Sequence, residues 1–225
     1  MKFHRPLFAL FTFSILAVSL WAETEKTSSP DLSKIEMPVN GELDLSDLVA
    51  ANQISSGELQ THERFGQYTE EEIETFLNQY VGVWEGYYNI QTLRGQTLTL
   101  METRSTYEWD LVGKTRVLKN QSVYASGDKI AFSASLTYFW FGRVVTEVEQ
   151  DGVKRIFLGY LSPDGKSITW NVANAVNKLS SSTTETFTQV DGRPAIQIEA
   201  YEEIRDAMST GTIAMKGELK QVDRE

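Results

Sequence analysis

From Gly82 to Val222 large residues recur at every second position, and turn-forming pairs interrupt them at short intervals. Such a pattern restricts the chain to antiparallel β-structure. Just before it the period is that of a helix. Thr69-Glu70-Glu71-Glu72 has the form of a capping box, in which the threonine oxygen accepts from the backbone N–H of Glu72 and the glutamate returns to the N–H of Thr69. Ile73, Phe76, Leu77, Tyr80 and Val81 then share one face, Glu74, Asn78 and Gln79 lie off it, and Gly82 ends the run. The expected architecture is mainly β: a single antiparallel up-and-down barrel of about 8 to 10 strands preceded by one amphipathic helix, over residues 67–225.

Strands are expected at Trp84–Leu93, Thr97–Asp110, Thr115–Ser126, Lys129–Gln150 with a break near Gly142, Val153–Leu161, Ser167–Ala173, Thr183–Val190, Ala195–Ile204 and Ile213–Val222. Gly127-Asp128, Asp151-Gly152 and Asp191-Gly192 suit hairpins, and Ser162-Pro163-Asp164-Gly165 a β-turn. Leu98 and Leu100 are out of phase with Met101, Tyr107, Trp109 and Leu111, so a bulge or bend is expected near Leu100. Ile130, Phe132, Ala134, Leu136, Tyr138 and Trp140 alternate with Ala131, Ser133, Ser135 and Thr137, and the apolar set is expected to face inward. Phe139 and Phe141 are then left outside, to be covered by the helix, turned in by a bulge near Gly142, or used in an oligomer contact.

Residues ahead of this domain indicate a destination. Lys2, His4 and Arg5 precede an apolar run from Leu7 to Ala22, too short for a bilayer span and followed by Glu23-Thr24-Glu25-Lys26. Residues 1–22 therefore read as a signal peptide cleaved near Ala22, with Ser19 the alternative, and the protein as exported to the periplasm or the extracellular space. Residues 23–66 are rich in Ser, Thr, Glu and Asp and read as an acidic flexible linker, in which Leu43, Leu45, Leu48 and Val49 form a short helical turn or dock as an extended segment. No other segment has the length of an integral membrane span.

Composition excludes several chemistries. With no cysteine there is no disulfide, thiolate nucleophile or sulfur metal site. Loss of Lys2 and Arg5, with no acid, moves the formal charge from −10 to −12 and makes nucleic acid a poor partner. His62 is the one histidine left, ahead of the helix, so neither a serine triad nor a multi-histidine metal site is expected, and no cofactor. Asn120-Gln121-Ser122 is formally a glycosylation acceptor. Glu102, Glu108, Asp110, Glu147, Glu149, Glu185, Glu199, Glu202 and Glu203 fall on strands and are expected mostly on the wet outer face; Glu102 and Arg104 share a face and are candidates for an inward pair.

Gly82-Val83-Trp84-Glu85-Gly86 resembles the Gly-x-Trp that opens the first strand of lipocalins and related calycin barrels. Glu108 to Lys114, Gly159-Tyr160 before Asp164-Gly165-Lys166, and Lys216-Gly217-Glu218 are similar to an uncharacterised family of secreted bacterial lipocalin-like proteins. The resemblance implies that Trp84 closes one barrel end. It also implies an arginine on the last strand against that tryptophan, where this chain offers Lys216 and Lys220.

The leading functional expectation is a binding module. Tyr88, Tyr107, Trp109, Phe132, Tyr138, Trp140 and Trp170 are the candidate contacts for a small apolar or amphipathic ligand, with Trp84 and Phe157 also inside. The same residues would equally fill a core without a cavity. The alternatives are a hydrolase or isomerase using inward carboxylates and tyrosines, and an interaction protein of the cell envelope.

Overall fold

The capping box forms as expected. Glu72 N–H donates to Thr69 Oγ1 at 3.2 Å and Thr69 N–H to Glu72 Oε2 at 2.8 Å, starting helix α1 at Glu70–Leu77. These bonds hold the Glu72 carboxyl below its usual range. A 3₁₀ turn, Asn78–Tyr80, carries the chain on to Gly82. The computed structural model describes residues 31–34, 68–140, 142–150, 153–173, 181–205 and 210–222. Apart from a 3₁₀ turn at Leu32–Lys34, the expected signal peptide and linker lie outside the described residues, as do His62 and Phe141.

Ten strands follow: β1 Gly82–Thr92, β2 Thr97–Val112, β3 Thr115–Ser126, β4 Lys129–Trp140, β5 Arg143–Gln150, β6 Val153–Leu161, β7 Ser167–Val172, β8 Ser181–Val190, β9 Arg193–Arg205 and β10 Thr210–Val222. Each pairs antiparallel with the next, and β1 pairs with β10, from Val83 opposite Val222 to Thr92 opposite Ile213. The barrel is closed, which removes sheet edges. Asp191 and Gly192 both take positive φ, 54° and 77°, the conformation that a tight β8–β9 hairpin requires. Closure depends on close approach at Gly86, where a Cβ would lie 1.9 Å from the Glu218 carbonyl oxygen.

Up-and-down order places the β2–β3, β4–β5, β6–β7 and β8–β9 turns at one end together with the start of β1. Helix α1 plugs that end. Ile73, Phe76, Leu77 and Tyr80 are buried in the main core cluster with Trp84, Leu118, Val144, Ile168 and Leu219, and Phe139 packs against them. Polar bonds fasten the plug around the rim. Trp109 Nε1 donates to Asn78 Oδ1 at 2.7 Å, Arg116 pairs with Glu74 at 2.8 Å, Tyr68 N–H donates to the Gly142 carbonyl at 3.1 Å, and Leu161 N–H donates to the Tyr68 hydroxyl at 3.0 Å.

Two expectations about strand phase change. The bulge falls at Leu98, since Ile90 faces Thr99 while Gln91 faces Thr97. The apolar set of β4 faces outward. Leu118, inside the barrel, stands opposite Thr137, so Ser133, Ser135, Thr137 and Phe139 point in, while Phe132, Leu136, Tyr138 and Trp140 point out. The phase follows from the pairing: Leu118 and Thr137 share the inner face, Thr146 opposite Thr137 continues it on β5, and Phe139 at the strand end packs against the main core. Leu136 and Tyr138 are nonetheless buried. They form a second cluster on the outer face with Val117, Val145 and Leu158, flanked by Trp140, Ile156 and Tyr160.

Trp84 is fully buried beneath the plug, with Nε1 donating to the Tyr80 carbonyl at 2.6 Å. Trp84→Ala should cost about 3 to 5 kcal/mol, read as a fall in denaturant midpoint. Phe76 meets Phe187 edge to face, with centroids 5.5 Å apart. A double-mutant cycle between Phe76→Ala and Phe187→Ala should return a coupling of about 0.5 to 1.5 kcal/mol; additivity would show that the helix does not seat on β8.

Candidate functional site

On β2 to β5 the inward positions include eight small polar residues: Thr103, Ser105, Asn120, Ser122, Ser133, Ser135, Thr137 and Thr146. These hydroxyls partner one another. Ser105 and Ser122 lie 2.8 Å apart, Ser122 donates to Asn120 Oδ1 at 3.1 Å, and Thr137 donates to Thr146 at 2.8 Å. Asn120 is 2 % exposed, so the formal glycosylation acceptor lies inside the barrel. Phe157 stands directly beside Thr146 on the next strand, and Trp170 beside Thr183. A partly enclosed cavity is lined by Ser135, Thr137, Thr146, Phe157, Trp170 and Thr183 together with Leu77, Tyr80, Tyr107, Leu118 and Glu185. Its volume is about 30 Å³. That is room for a water or two, or for a ligand group of similar size.

Glu185 is the charged group of this cavity. It points inward from β8, opposite Ile168 on β7 and Ile198 on β9. The Tyr80 hydroxyl donates to its Oε2, and Trp170 Nε1 donates to the same oxygen at 3.3 Å. Burial raises the carboxyl above its ordinary value of 4.5, while these two hydrogen bonds pull it down. The Tyr80 hydroxyl is pushed well up, first by burial and then by the neighbouring carboxylate. Trp170 owes its position to Gly159 across the β6–β7 ladder, where a Cβ would lie 2.6 Å from the indole.

The expected ligand contacts divide into four groups. Tyr107 and Trp170 line the cavity. Tyr88 points inward deeper in the barrel, its ring 6.0 Å from that of Tyr124. Trp109 sits at the plugged rim with Arg116 stacked 4.4 Å from its ring centre. Phe132, Tyr138 and Trp140 face outward with the rest of their strand face, and the Tyr138 hydroxyl donates to Glu147 at 2.7 Å. Of the strand carboxylates expected outside, Glu185 and Glu202 lie inside. Glu102 and Arg104 do share a face, but it is the outer one: Glu102 is exposed and Arg104 pairs with Glu85. Sequence reasoning passed over Tyr80, counted only as core, and the Glu185 phase. Phe187, two residues on along the strand, was the available signal.

Among the described residues no helix is long and apolar enough to cross a membrane, and no cluster of acids and histidines suits a metal ion. No family model matches the chain, and no curated protein matches it. Among solved structures it is similar to the S-type phycobiliprotein lyase CPES from Guillardia theta, with a TM-score of 0.52 at 7 % identity, over 68 % of this chain and 94 % of that one. The fold is a lipocalin-like barrel. In this lipocalin-like barrel the position opposite Trp84 on the last strand is Gln221, which donates to the Val81 carbonyl at 3.1 Å; Lys216 and Lys220 instead pair with Glu199 and Asp191.

The shifted carboxyl makes stability depend on pH. Its pKa in the folded protein lies above 4.5, so the native state keeps a proton that the unfolded chain releases. This contribution is complete below 4.5 and is lost as pH rises through the folded value. Glu185→Gln should therefore melt with a shallower decline than wild type above pH 4.5, as measured by calorimetry across pH. Parallel declines would place the titration elsewhere.

Proposed function

We propose that this chain is an exported binding protein which holds a small amphipathic molecule, or the polar end of one, in the cavity beneath the helix. One observation carries the reading: a cavity lined by aromatic rings, by hydroxyls and by a buried acid. Burying Glu185 and this hydroxyl belt costs free energy that an apolar filling would not. A core shaped only for stability has no use for them. The likeness to another lipocalin-like barrel supports the architecture, and the apolar run from Leu7 to Ala22 behind Lys2 and Arg5 supports export.

Native mass spectrometry of protein purified from its own host should show a polypeptide beginning near Glu23 and carrying a small molecule that denaturation releases. Ser135→Leu, which fills the cavity from β4, should abolish the added mass and leave the melting temperature within a few degrees of wild type. A bare polypeptide mass from native material overturns the binding reading, and an intact amino terminus overturns export.

A further inference from the structure

We propose that the cavity is a site for an organic ammonium group, with Glu185 as counter-charge and the rings of Tyr80, Tyr107, Phe157 and Trp170 as walls. The inference rests on the reading of the interior as a binding site and names the chemistry of what it holds. Tyr80 and Trp170 both donate to Oε2 of Glu185. The other carboxyl oxygen has no hydrogen-bond partner among the described residues, and the residue lines the cavity. No lysine or arginine lines that cavity. The inward-facing Arg155 stands toward the opposite end of the barrel, where Glu202 is the acid that acts on it.

Four aromatic rings around one acid match the needs of an alkylammonium ion. Ring faces attract a cation that sheds water poorly onto aliphatic surface, and they accept N-methyl groups as readily as N–H. An anionic guest would meet the carboxylate without a compensating positive group, and a neutral guest, even one that donates a hydrogen bond to the carboxyl, would leave its charge unbalanced. The acidic surface, −10 over the whole chain, raises the local concentration of cations. The small open volume sets the scale at the ammonium group itself with one or a few carbons.

Proton balance follows from the same geometry. The groups that face Glu185 are the hydroxyls of Tyr80, Tyr107, Tyr88 and Tyr124 and the indole of Trp170. None of them supplies a positive charge. An arriving ammonium keeps its own protons, and the carboxyl, where it is protonated, releases one proton to solvent as the ion pair forms.

The test is calorimetric titration of the full exported protein with methylammonium and ethylammonium chloride. Methanol and ethanol serve as the neutral counterparts, and each titration is run in two buffers of different ionisation enthalpy. The expected result is saturable binding of the ammonium ions at least tenfold tighter than of the alcohols, with buffer-dependent heat near the folded pKa of Glu185 and a tenfold or greater loss in Glu185→Gln. Equal binding of ions and alcohols, or unchanged binding in a folded Glu185→Gln, overturns the ammonium assignment while leaving a binding cavity in place. Failure of all four probes together with a bare native mass removes both readings. Should Glu185→Gln not fold, Tyr107→Leu keeps the carboxyl and removes a ring; it should narrow the preference for ammonium over alcohol severalfold, and an unaltered preference counts against the aromatic walls.

Discussion

The hydrogen bond from Tyr80 to Glu185 joins the one helix of the barrel domain to the strand that closes the far side of its interior. A barrel of ten strands encloses more space than its own inward side chains occupy, and something must occupy the mouth. Here an eight-residue helix does so with Ile73, Phe76 and Leu77, followed by a tyrosine that reaches furthest in. The hydroxyl of that tyrosine would be an orphan donor without an acceptor, and the carboxyl would be an orphan charge without a donor. Each is tolerable in the interior because of the other. The Trp170 indole makes the arrangement three-cornered, linking helix, β7 and β8.

Strand β4 presents Ser135 and Thr137 to the cavity and Phe139 to the main core, while Leu136, Tyr138 and Trp140 lie outside. A strand has two faces and one register, and moving it by a single residue would exchange them completely. The exchange is blocked by pairing on both sides, with Ser122 opposite Ser133 and Thr137 opposite Thr146. Leu136, Tyr138 and Val145 consequently make an apolar layer on the barrel's exterior.

Much of the architecture was readable in advance. The capping box, the helix face, the Gly127-Asp128 and Asp191-Gly192 turns and nearly every strand boundary are local features, governed by residues a few positions apart, and they appear where the chain indicated. The phase of β4 was not, because alternation shows that a strand has two unlike faces without showing which lies inside. The usual rule sends the apolar face inward, and it fails here because Leu136 and Tyr138 find apolar cover outside, from Val117, Val145 and Leu158 on neighbouring strands. Glu185 was hidden for a related reason. Its strand runs Ser181 to Val190 through threonines, serines and a glutamine, so Phe187, in the same phase two residues on, is the single local hint that the carboxylate is internal. Only Tyr80 and Trp170, distant in sequence, give it a place.

Gly159 has a wider meaning than its size suggests. Its missing side chain is the space into which Trp170, Val144 and Ile168 settle, each within 2.7 Å of where a Cβ would stand. The position of the indole wall is therefore controlled from the strand behind it by an atom that is absent. A methyl group there would press the ring toward Glu185 and shrink the chamber without altering any residue that faces it, whereas a smaller residue at 170 would accommodate the methyl and restore the room. Relatives of this chain can thus change what their interior admits through exchanges of volume between adjacent strands, and comparing only the residues that line the chamber would miss the change.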